Sequence, residues 1–326
     1  MNKINFKYII ILLLYILILT GCNNKAFLNK DSNEPKKIAF ISMKQGGQLW
    51  GNIKNGARMA HEETNCLLDF YEPIEETDSF TQIKYLEEAA KGDFDVIIIN
   101  PCDFTLLSTT IQKVQRQGAT VLQIYNETIA YDGFQQFKMM TNFSPVGDAI
   151  ADFVISNTHN QHLNALMVGS LLHTSAGSQT EMGIKQNFKN NNDIDFETVY
   201  CFGDSERAKK LVSEKLNKDD TINFIIALDE TSSTGITEAL NDREDNSKIK
   251  VLAWGNTLSN ITGLENGSVD GIVAINGFGL GYRSIYAALD LIDNKVFPST
   301  ELDFAIVTKE TFLNSRNQRL LFPQLL

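Results

Sequence analysis

DFDVIIINPCDFTLLSTTIQKVQRQGATVLQIYNE, residues 93–127, decides how the chain folds. Its first apolar run, Val96–Ile99, is β-branched throughout and has no polar alternation. That pattern belongs to a strand covered on both faces, as parallel sheets require. From Phe104 to Gln117 the apolar residues return at helical spacing, and Gly118 follows as a C-terminal stop. Thr120–Ile124 then starts a second β run. A strand, a helix and a strand in so short a stretch make a βαβ unit, whose crossover is right-handed.

The same rhythm extends in both directions. Upstream, Lys37–Ser42 reads as a buried strand and Gly51–Thr64 as a helix with Ile53, Ala57 and Ala60 on one face. Leu67–Tyr71 reads as a strand and Phe80–Lys91 as a helix. Downstream, helices are expected at Pro145–Thr158, Gln179–Phe188, Ser205–Leu216, Ser232–Asn241 and Tyr282–Asp293. Strands are expected at Leu163–Val168, Phe196–Tyr200, Phe224–Leu228, Lys250–Trp254 and Gly271–Ile275. So many βα units exceed one compact mononucleotide-type sheet, and two successive doubly wound α/β lobes account for them. An eight-fold βα barrel of about 250 residues is the competing arrangement.

The 326 residues suffice for two domains, and 43% of them are apolar. A net charge of −11 argues against nucleic acid, whose phosphates call for a basic face. It equally speaks against attraction to anionic lipid. The N-terminus carries an address instead: Lys3 and Lys7 precede the unbroken apolar run Tyr8–Leu19. That run is short for a spanning helix, which needs about 20 residues, and suits a signal peptide over residues 1–21. Leu19-Thr20-Gly21-Cys22 resembles the lipobox of bacterial lipoproteins. The resemblance implies cleavage before Cys22 and its acylation, which anchors the chain outside the cytoplasm; an uncleaved anchor helix is the alternative. Residues 22–35 are polar and read as a tether. Cys66, Cys102 and Cys201 match no metal spacing and read as buried thiols. No cofactor or metal is expected.

Five stretches together resemble the type I periplasmic binding proteins, the ribose- and galactose-binding family. They are KKIAFISMKQGGQLWGNIKNGARMAHE (36–62), the opening stretch at 93–127, FIIALDETSSTGITEAL (224–240), VLAWGNT (251–257) and GIVAINGFGLGYRSIYAAL (271–289). They occur in the family's order. The resemblance implies two Rossmann-like lobes joined by a three-segment hinge, with crossings near Met139–Asn142, Ile275–Asn276 and Phe297–Asp303. Residues 36–141 with 276–300 would form the first lobe, and 142–275 with 301–326 the second. A ligand would lie between them, at the carboxyl ends of both sheets. The partners implied are a small sugar-like molecule and either the permease of an ABC-type importer or a membrane sensor histidine kinase. Neighbouring genes would tell those two apart.

Sugar recognition combines an aromatic face for the C–H side of the ring with planar polar groups for the hydroxyls. Trp50 lies where the family places a stacking aromatic, with core packing as the other reading. Gln48 is expected in the same loop as Trp50, after the first strand. Tyr125-Asn126 stands where the family commonly has Asp-Arg. Asn142 follows the first crossing, where binding and hinge bonding are both open. Asp229 follows the strand Phe224–Leu228 and either binds hydroxyls or caps the next helix. Asn256 sits beside the family's turn aspartate, with Gly255 as the other candidate. Asn276 ends the strand that re-crosses. Gln179, Thr180 and Glu181 fill the region where the family has an arginine. Without the two usual arginines, a neutral ligand is implied.

Other classes fit less well. No HExxH, GxSxG or P-loop occurs, so no enzyme is expected. His159 and His162 share a polar turn, and the glycines of NGFGLGYRS lack a dinucleotide spacing. A repressor would need a basic helix-turn-helix where the signal peptide stands.

Overall fold

Two sheets carry the chain, each built from the βα repeats. The computed structural model describes residues 34–133, 135–158, 162–170, 173–189, 193–295 and 301–323. Cys22, the signal peptide and nearly all of the tether lie outside these residues, as do His159 and the start of the third expected crossing.

The first sheet contains β1 (Lys37–Ile41), β2 (Leu67–Tyr71), β3 (Val96–Ile99), β4 (Val121–Ile124) and β5 (Phe137–Met139). Its order is β2-β1-β3-β4-β5, parallel throughout. The second contains β6 (Leu163–Gly169), β7 (Ile194–Tyr200), β8 (Phe224–Ala227), β9 (Lys250–Trp254), β10 (Gly271–Ile275) and β11 (Phe304–Val307). Its order is β11-β10-β9-β8-β6-β7, parallel except where β11 runs antiparallel to β10. β1, β3, β4, β8, β9 and β10 are buried almost end to end, which is why their sequences are nearly continuous apolar runs. Two open sheets rule out the barrel.

Helices cover the faces: α1 (Gln48–Thr64), α2 (Ser79–Lys91), α3 (Leu106–Arg116), α4 (Ser144–Asn157) and α5 (Ser175–Lys189) come first. They are followed by α6 (Ser205–Lys218), α7 (Glu230–Asn241), α8 (Leu258–Asn266), α9 (Gly277–Ile292) and α10 (Ser315–Leu321). The chain leaves the first sheet after β5 and enters α4. It leaves the second after β10, and α9 packs on α1 and reaches β3 of the first sheet. It then returns as β11.

α9 begins five residues before the Tyr282 start that the sequence suggests. Its glycines are helical because they let two backbones meet. A Cβ at Gly281 would stand 1.8 Å from the Ile53 carbonyl oxygen, and one at Gly56 would stand 2.0 Å from that of Phe278. Asn276 caps this helix by accepting from the Gly279 N–H at 2.7 Å. Gln82, fully buried, ties the carboxyl ends of β1 and β3: its Nε2 donates to the carbonyls of Ser42 (3.0 Å) and Asn100 (2.6 Å).

The helix contact gives a direct test. Gly281→Ala is expected to lower stability by about 1–3 kcal/mol or more in urea unfolding, because backbone blocks the new methyl. Gly51→Ala, on the same helix pair but with nothing within 4 Å of its Cβ, is expected to be neutral or to stabilise by about 0.5–1 kcal/mol. Equal losses in both would contradict this packing.

Candidate functional site

The carboxyl ends of the two sheets face one gap. β1 leads to Met43 and Lys44, the loop after β2 supplies Glu76, and β4 leads to Tyr125 and Asn126. From the other sheet, β6 leads to Ser170, β7 ends at Tyr200, β8 leads to Leu228, Asp229 and Glu230, and β9 ends at Trp254. Trp50, in the first turn of α1, closes one side. The gap encloses about 70 Å³ in this structure, below the roughly 300–1,000 Å³ usual for small-molecule sites.

Aromatic rings form much of the wall. Trp50 meets Tyr125 edge-on, with centroids 5.5 Å apart, and Tyr125 meets Phe143 at 4.6 Å. Burial pushes the Tyr125 hydroxyl far above its ordinary range, with the charges of Glu230 and Asp229 adding to the effect. It therefore stays protonated and can donate a hydrogen bond.

Polar groups bridge the gap. Glu76, only 8% exposed, accepts from Lys44 Nζ at 3.1 Å on its own side. It also accepts from the hydroxyls of Ser170 and, at 3.3 Å, Thr231 on the other side. Glu230 accepts from the backbone N–H groups of Gln48 (3.1 Å) and Leu49 (3.0 Å) at the start of α1. Asn126, 1% exposed, donates to Asn100 Oδ1 at 3.0 Å and accepts from the Ala176 N–H at 2.9 Å.

Asp229 is both a cap and a cavity wall. It accepts from the Ser232 N–H at 2.8 Å, completing a capping box at α7, and from the Ser170 N–H. Burial, and then the charge of Glu76, push its carboxyl up to about 7.

Of the residues singled out from sequence, Trp50, Asn126, Asp229 and, in the region where the family has an arginine, Glu181 line the gap. Gln48, Asn142, Asn256 and Asn276 do not, and each has a physical reason. Gln48 is exposed and contributes only its backbone N–H. Asn142 is exposed and accepts from the Ser144 N–H at 3.2 Å, turning the chain into α4. Asn256 is tied to the C-terminal helix by donating to the Leu321 carbonyl at 2.7 Å. Asn276 caps α9 and donates to Asp303 at 2.9 Å. Lys44, Glu76, Ser170, Tyr200, Glu230 and Trp254 were missed. The signal that marks most of them is their place just past a strand end.

Among the described residues, no three His, Cys, Asp or Glu side chains are grouped to hold a metal ion, and no helix is long and apolar enough to cross a membrane. Cys66, Cys102 and Cys201 are free and buried. Burial pushes the Cys102 thiol up to about 12 and that of Cys201 up to about 11, which makes both poor nucleophiles.

The raised Asp229 carboxyl predicts a pH dependence. Its folded value, about 7, exceeds the ordinary 3.8, so its contribution is greatest below the lower value and is lost as pH rises towards the upper one. D229N keeps a good cap and removes the loss. Urea unfolding should show the variant gaining on the wild type as pH rises from 4 to 7.5; a constant difference would contradict the assignment.

Comparison with known proteins follows the same lines. The family model for the periplasmic binding protein domain matches residues 38–295. A search of curated proteins found no match. Among solved structures, an ABC transporter solute-binding protein from Agrobacterium vitis, with bound D-fucose, superposes with a TM-score of 0.83 at 17% identity. That match covers 87% of this chain and 99% of the other. A carbohydrate transporter solute-binding protein from Agrobacterium radiobacter, in complex with D-arabinose, gives 0.81 at 18% identity, covering 89% and 100%. A sugar transporter from Clostridium phytofermentans gives 0.75 at 21% identity, covering 85% and 100%. With the family match spanning most of the sequence and two parallel-sheet lobes in the structure, the chain belongs to the periplasmic binding proteins, of the type I fold.

Proposed function

We propose that the protein is an extracytoplasmic solute-binding lipoprotein that captures a neutral monosaccharide and delivers it, chemically unchanged, to an ABC-type importer. The observation that carries this reading is the gap itself: aromatic rings and hydrogen-bonding carboxylates converge from two sheets on one small space. Trp50 offers a ring face, and Asp229 offers acceptors to hydroxyl donors. Asn126 supports the wall by bonding both sides of the gap. The monosaccharides bound by similar structures support the choice of ligand class. The lobes act as two halves of a clamp, hinged where the chain passes between sheets, and closure presents a surface to the membrane partner. Acylated Cys22 holds the protein at the membrane, since two or more acyl chains anchor stably.

Thermal unfolding against a panel of neutral pentoses and hexoses tests the proposal. A cognate sugar at 100 times its Kd adds about 2.7 kcal/mol of stability, and Trp50→Ala should remove that gain. A flat response across the panel would overturn the reading. Protein from cells fed labelled palmitate should carry the label, and Cys22→Ala should not; equal labelling would remove the anchor.

A further inference from the structure

The gap contains several devices that attract anions, and the protein fills each with its own groups. Lys44 is held by Glu76 at 3.1 Å. The start of α7 is capped by Asp229, and the start of α5 bonds Asn126 through the Ala176 N–H. The largest device is the start of α1, a 17-residue helix with no acidic residue in its first turn and no side-chain cap of its own. Its first N–H groups would otherwise be orphaned at the positive end of a long dipole, which is the usual seat for a carboxylate or phosphate.

Glu230 takes that seat from the opposite sheet. Its two oxygens receive the Gln48 and Leu49 N–H groups at 3.1 and 3.0 Å. Two glycines shape the cradle. Gly255, at φ +88°, has no room for a side chain, because a Cβ would fall 2.5 Å from Glu230 Cγ. Gly47, at φ +99°, leaves the helix start open to the incoming carboxylate, whose oxygen lies 3.2 Å from its Cβ position. Any ligand anion would have to displace Glu230 and then sit beside it, Asp229 and Glu76 in a space where, among the described residues, Lys44 is the single lining cation.

We propose that Glu230 is a specificity-determining residue: an internal anion that fills the anion seat of α1, so that the gap refuses carboxylated and phosphorylated ligands and accepts neutral hydroxylated ones. The claim deepens the sugar-binding reading and rests on it for the nature of the accepted ligand. Its test is independent of any sugar.

Inorganic sulfate is the probe, measured by thermal unfolding against sodium chloride of equal ionic strength, in the wild type, E230A and E230Q. The wild type should show no stabilisation beyond the chloride control. E230A, with the seat empty, should bind sulfate at least tenfold tighter than the wild type. E230Q, with the seat filled but uncharged, should show a smaller gain of at least threefold, and it decides the matter if E230A does not fold. Equal sulfate responses in all three proteins would overturn the role of Glu230, as would sulfate binding by the wild type as tight as by the variants. A silent sugar panel with a positive sulfate series would sink the sugar reading alone; the reverse result would sink this inference alone.

Discussion

Everything at the site depends on carboxylates that bond across the gap. Glu230 and Glu76 each reach the opposite sheet, and each replaces a hydrogen bond that the opposite side would otherwise leave unmade. A buried donor without a partner costs about 1–3 kcal/mol, so these links favour the two halves together. Trp50 and Tyr125 then present apolar faces within reach of Asp229, the pairing of groups that a pyranose or furanose ring requires.

Charge follows from the same arrangement. Among the described residues, Glu76, Glu181, Asp229, Glu230 and one lysine line the space, and the lysine is committed to Glu76. Asp229 bears the cost: desolvation and the neighbouring Glu76 charge lift its carboxyl towards neutrality of pH. A sugar hydroxyl donating to Asp229 would stabilise the ionised form. Under that reading, binding and proton release would be coupled at this residue.

Much of the fold was legible because its strands are buried on both faces. Val96–Ile99 and Phe224–Ala227 have no polar face, and only a covered sheet suits them. The short edge strands were not legible. β5 has three residues, and β11 lies half-buried at the antiparallel edge, so neither carries a long apolar run. The start of α9 was hidden because glycine lowers helix propensity, whereas here close approach to α1 demands it. At the site, Asp229 could be found because strand ends point at the gap, and Trp50 because it stands where the family resemblance implies a stacking aromatic. Asn256 and Asn276 also follow strand ends, yet their side chains turn to a helix carbonyl and a helix cap. Glu76 and Glu230 escaped notice because their partners lie 94 and 182 residues away, and no local pattern records such a bond.

The account stands on a ring-sized guest between the two sheet ends. A crystal structure of the protein with its tightest-binding neutral sugar tests this most directly. The sugar should lie against Trp50, with a hydroxyl donating to Asp229 and the Glu230 carboxylate still on the α1 amides. A sugar bound elsewhere on the molecule, with the gap left to water, would contradict it.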